Sequence, residues 1–301
     1  MDGYTIIVDR IIRRTDCIMN KNSYSVPITN TINWNAMNHI NGLIAGSRGS
    51  GKSFLGMSII ASMATFPSIP GKLLGKMSLP TQWFVIDLKN ADMARLSAIL
   101  PEGRVANNKH KAIEVIDYFL NLMHKRMEWI NNNTSFGATA RSLGMPLFYL
   151  LIDEYSATTA AFNEAVTKQD KADKYHWFSS VHRLMMLGRQ LGFGTLIITQ
   201  QASDINSGLS SALKEEFGLK AHMGAANAES YRLTFGNEVK IPDESVGVGE
   251  GLLWLEGQTD RGFLLPFSAP FINVNNFWDI LKDALAKQND GYLTVTRSIG
   301  V

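Results

Sequence analysis

Eight consecutive residues, 46–53, have the types and the spacing that bind a triphosphate. They read Gly-Ser-Arg-Gly-Ser-Gly-Lys-Ser, which is a complete phosphate-loop pattern, and they follow an apolar run at residues 40–45. The glycines permit backbone conformations in which successive N–H groups point inward at phosphate oxygens. The pattern therefore predicts a site for a nucleoside triphosphate with magnesium.

Within this loop, different side chains are expected to bind the phosphates and the magnesium ion. Lys52 is expected to reach the β- and γ-phosphates, and the Ser53 hydroxyl is expected to bind magnesium. A helix that begins near Lys52 would direct the positive end of its dipole at the same anion. The residues predicted to contact the nucleotide are Gly46, Ser47, Arg48, Gly49, Ser50, Gly51, Lys52, Ser53 and Phe54. A chance glycine-rich turn is the alternative, and the complete pattern between an apolar strand and an apolar helix disfavours it.

Two acids, Asp153 and Glu154, close an apolar strand predicted over residues 147–152. An aspartate at the carboxyl end of a strand can support magnesium, and a glutamate directly after it can orient and deprotonate an attacking water. The alternative is a strand that ends in two surface acids. The presence of Lys52 and Ser53 elsewhere in the chain favours the hydrolytic interpretation.

Polar residues also follow two other predicted strands. Gln200 comes after the strand at residues 194–199, and its amide can donate to a phosphate and accept from a water. If that strand lies between the strand before the phosphate loop and the strand 147–152, Gln200 can sense whether a γ-phosphate is bound. Asp87 and Lys89 lie at the tip of the strand 82–87, where they serve either the site or a subunit interface.

Two arginines compete for a role across a subunit boundary. Arg189 lies on the helix before the strand 194–199, and in a ring it could stabilise transition-state charge on a neighbour's γ-phosphate. Arg232 is the competing candidate. For each of them the alternative is a surface arginine or a local ion pair.

The elements that must position these residues alternate along the chain. Apolar strands are predicted at 4–8, 23–28, 82–87, 147–152, 194–199, 219–223, 251–255 and 261–266. Helices are predicted at 52–65, 111–131, 177–191 and 275–286, with loops at 67–80 and 156–175. This order predicts an α/β fold, a P-loop NTPase with a mostly parallel central sheet flanked by helices. We expect a short β-rich lead-in at 1–38 and one domain at 39–301.

The composition bounds the class of protein. The chain has 301 residues and a net charge of +2, which is not by itself the signature of a nucleic-acid-binding protein. Cys17 is the single cysteine, so internal disulfides and multi-cysteine metal sites are excluded. The longest apolar stretch is too short to span a membrane, and the first residues lack a signal-peptide layout. The expected location is cytoplasmic, with any membrane association supplied by a partner.

The motifs together resemble the FtsK/HerA family of ring ATPases, and within it the FtsK/SpoIIIE motor domain, of the RecA-like type with an additional strand and a catalytic glutamate. The resemblance covers about residues 27–270 and includes Ile-Asp-Leu-Lys at 86–89, Leu-Leu-Ile-Asp-Glu at 150–154 and Gly-Arg-Gln-Leu-Gly at 188–192 with Thr-Gln-Gln-Ala-Ser at 199–203. Leu88 and Ala202 stand where the family has proline. The resemblance implies ATP and Mg²⁺ as ligands, a hexamer with ATP at its interfaces, and double-stranded DNA in its pore.

The sequence therefore predicts an ATP-driven DNA translocase that serves DNA transfer of a mobile element, with a relaxase or a membrane-anchored protein as a further partner. Phage packaging and chromosome segregation stay open as alternatives. Two other classes also stay open, a small-molecule kinase and a scaffold that binds ATP without hydrolysing it. Contacts with the DNA backbone are expected from the loops 67–80 and 156–175, the latter through Lys168, Lys171 and Lys174.

Overall fold

The structure is a computed structural model, and it describes residues 25–29, 31–65, 80–203, 208–243, 245–259, 262–270, 272 and 274–294. The strand predicted at 4–8 and residues 67–79 of the predicted loop lie outside this part of the chain. Among the described residues, no helix has the length and apolar character that crossing a bilayer requires.

An eight-stranded sheet forms the centre of the described structure. Its strands are β3 Asn41–Gly46, β4 Gln82–Asp87, β5 Val105–Ala106, β6 Phe148–Asp153, β7 Phe193–Ile198, β8 Phe217–Met223, β9 Glu250–Leu255 and β10 Leu265–Ser268. Their order across the sheet is β10-β9-β8-β3-β7-β6-β4-β5. The strands from β8 to β5 pair in parallel, and β9 and β10 are antiparallel. The mostly parallel sheet that the apolar runs predict is confirmed.

Helices cover both faces of this sheet. Their bounds are α1 Lys52–Thr65, α2 Lys109–Asn133, α3 Tyr155–Asn163, α4 Lys168–Leu191, α5 Ser211–Glu215, α6 Ala228–Phe235 and α7 Val274–Ala284, with 3₁₀ helices at Met93–Ala98 and Asp290–Thr294. On one face, Phe119 of α2 packs edge-on against Phe193, which stacks on Phe148 at 4.9 Å. On the other face, α1 lies so close that a methyl at Gly56 would meet Ile198 at 2.6 Å. Every residue of β3, β4, β6 and β7 is buried as a result, which explains their mostly apolar sequences.

A short antiparallel hairpin precedes the sheet, formed by β1 Ser25–Pro27 and β2 Asn33–Asn35. Trp34 of this hairpin is buried, and its ring packs edge-on against Tyr149 of β6 at 6.2 Å. The described part of the lead-in therefore packs on the same core as the sheet.

The loop predicted at 156–175 is wrong, because this stretch forms α3 and the first turns of α4. Thr167 caps α4 through a capping box, in which its hydroxyl accepts from the Asp170 backbone and the Asp170 carboxylate accepts from the Thr167 backbone. Trp177 then stacks on Phe162 at 4.9 Å and fixes α3 against α4. The helix predicted from 177 therefore begins at Lys168, because the cap and this stacking stabilise a first half that is mostly polar.

Candidate nucleotide site

The strand order brings the predicted site residues together. β7 lies between β3 and β6, and all three run in parallel. Their carboxyl ends therefore meet at one edge of the sheet, where the phosphate loop follows β3, Asp153 and Glu154 end β6, and Gln200 follows β7. The strand that precedes Gln200 thus lies between the strands that carry the phosphate loop and the two acids, as the sequence-based expectation for Gln200 requires.

The phosphate loop depends on its glycines. Gly46 has φ +142°, and a Cβ there would lie 2.2 Å from the Met223 carbonyl oxygen. Gly49 and Gly51 also have positive φ, at +77° and +102°. Ser50 closes the loop by donating its hydroxyl to the Ser47 carbonyl at 2.8 Å. Close packing against β8 and local hydrogen bonds therefore shape the loop.

Lys52 is buried at the start of α1, and its ammonium donates to the Ser47 carbonyl oxygen at 2.7 Å. Burial lowers the pKa of Lys52, and the charges of Glu154 and Asp153 act in the opposite direction. The cation is thus held over the loop and within the field of both acids. Ser53 follows Lys52 on the first turn of α1, and the next side chain, Phe54, is exposed.

Asp153 is only 4% exposed, and its carboxylate accepts from the Glu154 backbone N–H at 3.0 Å. Burial, followed by the nearby charges of Asp87 and Glu154, raises the pKa of Asp153 to about 7. A bound divalent cation would compensate the charge of this carboxylate. The oxygen donors of Asp153 and Ser53 therefore suit Mg²⁺.

Glu154 occupies a left-handed backbone conformation, with φ 48° and ψ 55°. The Gln200 amide donates to Glu154 Oε1 at 3.2 Å, and the Lys89 ammonium lies 3.2 Å from Glu154 Oε2. A non-glycine residue in this conformation is uncommon and is often found at functional sites. The predicted water-activating acid and the predicted phosphate reporter are thus in direct contact.

Asp87 is structural in this arrangement. It is fully buried, and its carboxylate accepts from the backbone N–H groups of Lys89, Ala91 and Ala94 at 2.9 to 3.1 Å. These bonds fix the turn after β4, and the turn directs Lys89 towards Glu154. Of the two locations that the sequence left open, the site and a subunit interface, the structure brings Lys89 to the site.

The two arginine candidates do not join this cluster. Arg189 is exposed on the last turn of α4, beside the amino end of β7. The six residues of β7 separate it from the site edge, a distance of about 20 Å at about 3.3 Å per residue. Arg232 is exposed on α6. Any contact of Arg189 with a phosphate would therefore involve a site other than its own.

A cleft of about 470 Å³ adjoins the loop. Its lining includes Ser47, Arg48, Gln200, His222, Asn227 and Ser230. Sequence reasoning missed His222, which is buried in β8 and packs edge-on against Tyr231 at 4.9 Å. Burial lowers the pKa of His222 to about 4, so the ring is neutral at pH 7. A histidine within an apolar run was the signal that could have identified it.

Sequence comparison finds a distant relative. No protein-family model matches the chain. The FtsK domain-containing protein YdcQ of Bacillus subtilis (strain 168) is 24% identical over 276 residues, which are 91% of this chain and 52% of that protein. The chain thus spans about half the length of this curated relative.

Solved structures share the fold. The pCW3 conjugation coupling protein TcpA, in its monomer form with ATPγS, has a TM-score of 0.67 and 17% identity, covering 88% of this chain and 71% of that one. The cytoplasmic domain of the type VII secretion ATPase EccC of Thermomonospora curvata has a TM-score of 0.62 and 19% identity, covering 91% and 32%. In sequence and in fold, the chain resembles the FtsK-type P-loop ATPases.

Proposed function

We propose that the chain is an ATP-hydrolysing motor that moves double-stranded DNA for the transfer of a mobile element. The observation that supports this most is the meeting of Lys52, Glu154 and Gln200 at one sheet edge. Hydrolysis of a triphosphate needs a cation that binds the phosphates and a base that accepts a proton from water. The amide of Gln200 lies between these two groups and can contact both the phosphate and the water.

Each of these residues has a distinct part in the proposed reaction. Lys52 and the loop N–H groups bind the β- and γ-phosphates of ATP. Glu154 orients the attacking water and accepts its proton, while Gln200 donates its amide to the γ-phosphate. Asp153 and Ser53 hold Mg²⁺, which when bound neutralises charge on the phosphates.

The proposed working form is a homo-oligomer, a hexamer, with ATP at its subunit interfaces and Arg189 acting in trans. Residues 39–301 form the motor domain, and residues 1–38 form an appended lead-in. A relaxase or a membrane-anchored protein is the proposed further partner. Similarity to a conjugation coupling protein supports DNA transfer as the process.

Contact with duplex DNA is assigned to basic side chains and not to base-reading groups. Lys168, Lys171 and Lys174 lie on the first two turns of α4, beside the exposed ring of Tyr175. Contacts of lysine with phosphates are insensitive to sequence and weaken as the salt concentration rises. A motor that travels along DNA requires this kind of binding.

The test is the steady-state rate of ATP hydrolysis with and without duplex DNA, for the wild type and for Glu154→Gln. We expect duplex DNA to raise the wild-type rate. Glu154→Gln should lower the rate by about a hundred-fold or more while ATP binding persists, because the amide cannot accept a proton from water.

Glu164→Gln is the matched control, since Glu164 is an exposed acid that caps the carboxyl end of α3, whereas Glu154 caps its amino end. It should behave as the wild type does. A wild-type rate that is indifferent to duplex DNA, or a Glu154→Gln variant that retains full hydrolysis, would refute the proposal.

A further inference from the structure

The turn after β4 carries a cation, Lys89, that has no role in the hydrolytic reaction proposed above. Lys89 Nζ lies 3.2 Å from Glu154 Oε2, while the Gln200 amide occupies Glu154 Oε1. We propose that Lys89 is a positioning residue that restrains Glu154, and that a DNA phosphate releases Glu154 by binding the Lys89 ammonium. This inference rests on the proposed function, and it adds how DNA binding is coupled to hydrolysis.

A carboxylate that activates water must offer an oxygen to the proton it removes. In the arrangement that the structure shows, the Lys89 ammonium forms an ion pair with one oxygen of Glu154, and the Gln200 amide donates a hydrogen bond to the other. Recruitment of Gln200 by a γ-phosphate would free Oε1 but would leave Oε2 paired with Lys89. Release of both oxygens of Glu154 therefore requires a second event at Lys89.

The backbone of Glu154 makes its side chain sensitive to such contacts. Its left-handed conformation is unfavourable for a residue with a side chain, and surrounding interactions must hold it there. The ion pair with Lys89 is one of these interactions. Loss of that pair would change where the carboxylate lies without unfolding the strand end.

The turn that carries Lys89 is fixed in its backbone by hydrogen bonds, whereas the Lys89 side chain is partly exposed. The buried Asp87 carboxylate accepts hydrogen bonds from two backbone N–H groups of this turn and from one of the following 3₁₀ helix, and Asn90 within the turn has φ 52°. The Lys89 side chain is 41% exposed, and lysine ends in a flexible four-carbon stem. The ammonium can therefore move between Glu154 and an external anion while the turn keeps its shape.

An external polyanion can compete for this ammonium. Partly exposed ion pairs are weak, so another anion exchanges with them at little cost. Arg95, on the 3₁₀ helix that follows this turn, is 75% exposed beside Asp92, and it is a second exposed cation in this segment. A row of backbone phosphates suits this segment, because it presents several anions at once.

The test compares ATP hydrolysis by the wild type and by Lys89→Met, without DNA and with saturating duplex DNA. Removal of the cation should raise the rate without DNA about two- to five-fold, which is the equilibrium factor of a partly exposed ion pair. The rate with DNA should stay unchanged, so the stimulation ratio should fall by the same factor. Lys89→Arg keeps the charge and should restore the wild-type ratio.

Arg95→Met is the matched control, because it removes an exposed cation that is paired with Asp92, six residues along the chain from Lys89. Its rate without DNA should equal that of the wild type. The inference is overturned if Lys89→Met is no faster than the wild type without DNA, if its stimulation ratio is unchanged, or if Arg95→Met produces the same rise. A wild type that DNA does not stimulate would overturn the proposed function as well.

Discussion

At the scale of single residues, Asp153 is an acid whose charge is unfavourable in the folded protein without a bound cation. Burial and the charges of Asp87 and Glu154 raise its pKa from 3.8 to about 7. Between these two pH values, the folded state binds more protons at this carboxyl than the unfolded state does. The free energy of unfolding therefore falls as the pH rises through this window.

Asp153→Asn should stabilise the protein while it abolishes hydrolysis. At pH 8 the gain in the free energy of unfolding should be about 1 to 4 kcal/mol, since one pKa unit corresponds to about 1.4 kcal/mol. The gain should shrink as the pH falls from about 8 to about 4, because the carboxyl then becomes protonated in both states. Urea titrations followed by circular dichroism measure it.

Asp279→Asn serves as the control, because Asp279 is exposed on α7. Its effect should stay within about 0.5 kcal/mol at every pH. An Asp153→Asn variant that is less stable than the wild type at pH 8 would show that the burial of this acid is not costly.

At the scale of elements, one side chain of α2 joins three segments that frame the sheet. Arg126 is fully buried, and it donates to the carbonyl oxygens of Leu293 at 2.7 Å and of Pro146 and Leu191 at 2.9 Å. Its guanidinium also lies over the Phe148 ring at 4.8 Å. The 3₁₀ helix at Asp290–Thr294, the entry to β6 and the end of α4 are thus held together at the edge opposite the site.

Arg126→Met should lower the free energy of unfolding by about 3 to 5 kcal/mol, because it leaves buried carbonyl groups without their donor at about 1 to 3 kcal/mol each. Chemical denaturation at one pH measures the change. Lys125→Met, at the exposed neighbouring position, should cost less than about 0.5 kcal/mol. Equal losses in the free energy of unfolding for the two variants would show that Arg126 has no special role in stability.

At the scale of the whole molecule, the position of Arg189 requires a neighbour for any part in hydrolysis. The arginine lies beside the amino end of β7, whereas the phosphate loop lies at the carboxyl ends of the strands. Its own site is thus beyond the reach of its side chain. In a ring with heterologous contacts, by contrast, one face of each subunit meets a different face of the next.

If Arg189 acts in trans, Arg189→Ala should reduce hydrolysis by about a thousand-fold, as loss of an arginine that stabilises γ-phosphate charge does. Lys52→Ala should also be inactive. A mixture of the two variants should regain activity, since some interfaces then combine an intact loop with an intact arginine. Steady-state assays of the single variants and of the mixture measure this.

Arg183→Ala is the control, because Arg183 is an exposed arginine on the same helix. It should retain full activity. If the mixture with Arg189→Ala stays inactive while Arg232→Ala complements Lys52→Ala, the role belongs to Arg232.

The sequence by itself determined those features that adjacent residues encode. The phosphate loop, the acids that end β6 and the long apolar runs depend on short-range patterns, because backbone conformation and strand burial restrict the residue types of a short segment. Helix α4 shows where such short-range patterns fail. Its first half lacks strong apolar periodicity, and the cap at Thr167 and the stacking of Trp177 on Phe162 help to stabilise it.

Tertiary structure alone decided which strand ends are neighbours. That order places Gln200 on Glu154, directs Lys89 to the same carboxylate, buries His222 beside the cleft and keeps Arg189 at the far edge. No local pattern carries this information, because strand order is set by packing between segments that are distant along the chain. The sequence thus determined which chemical groups are present, and the sheet decided which of them meet.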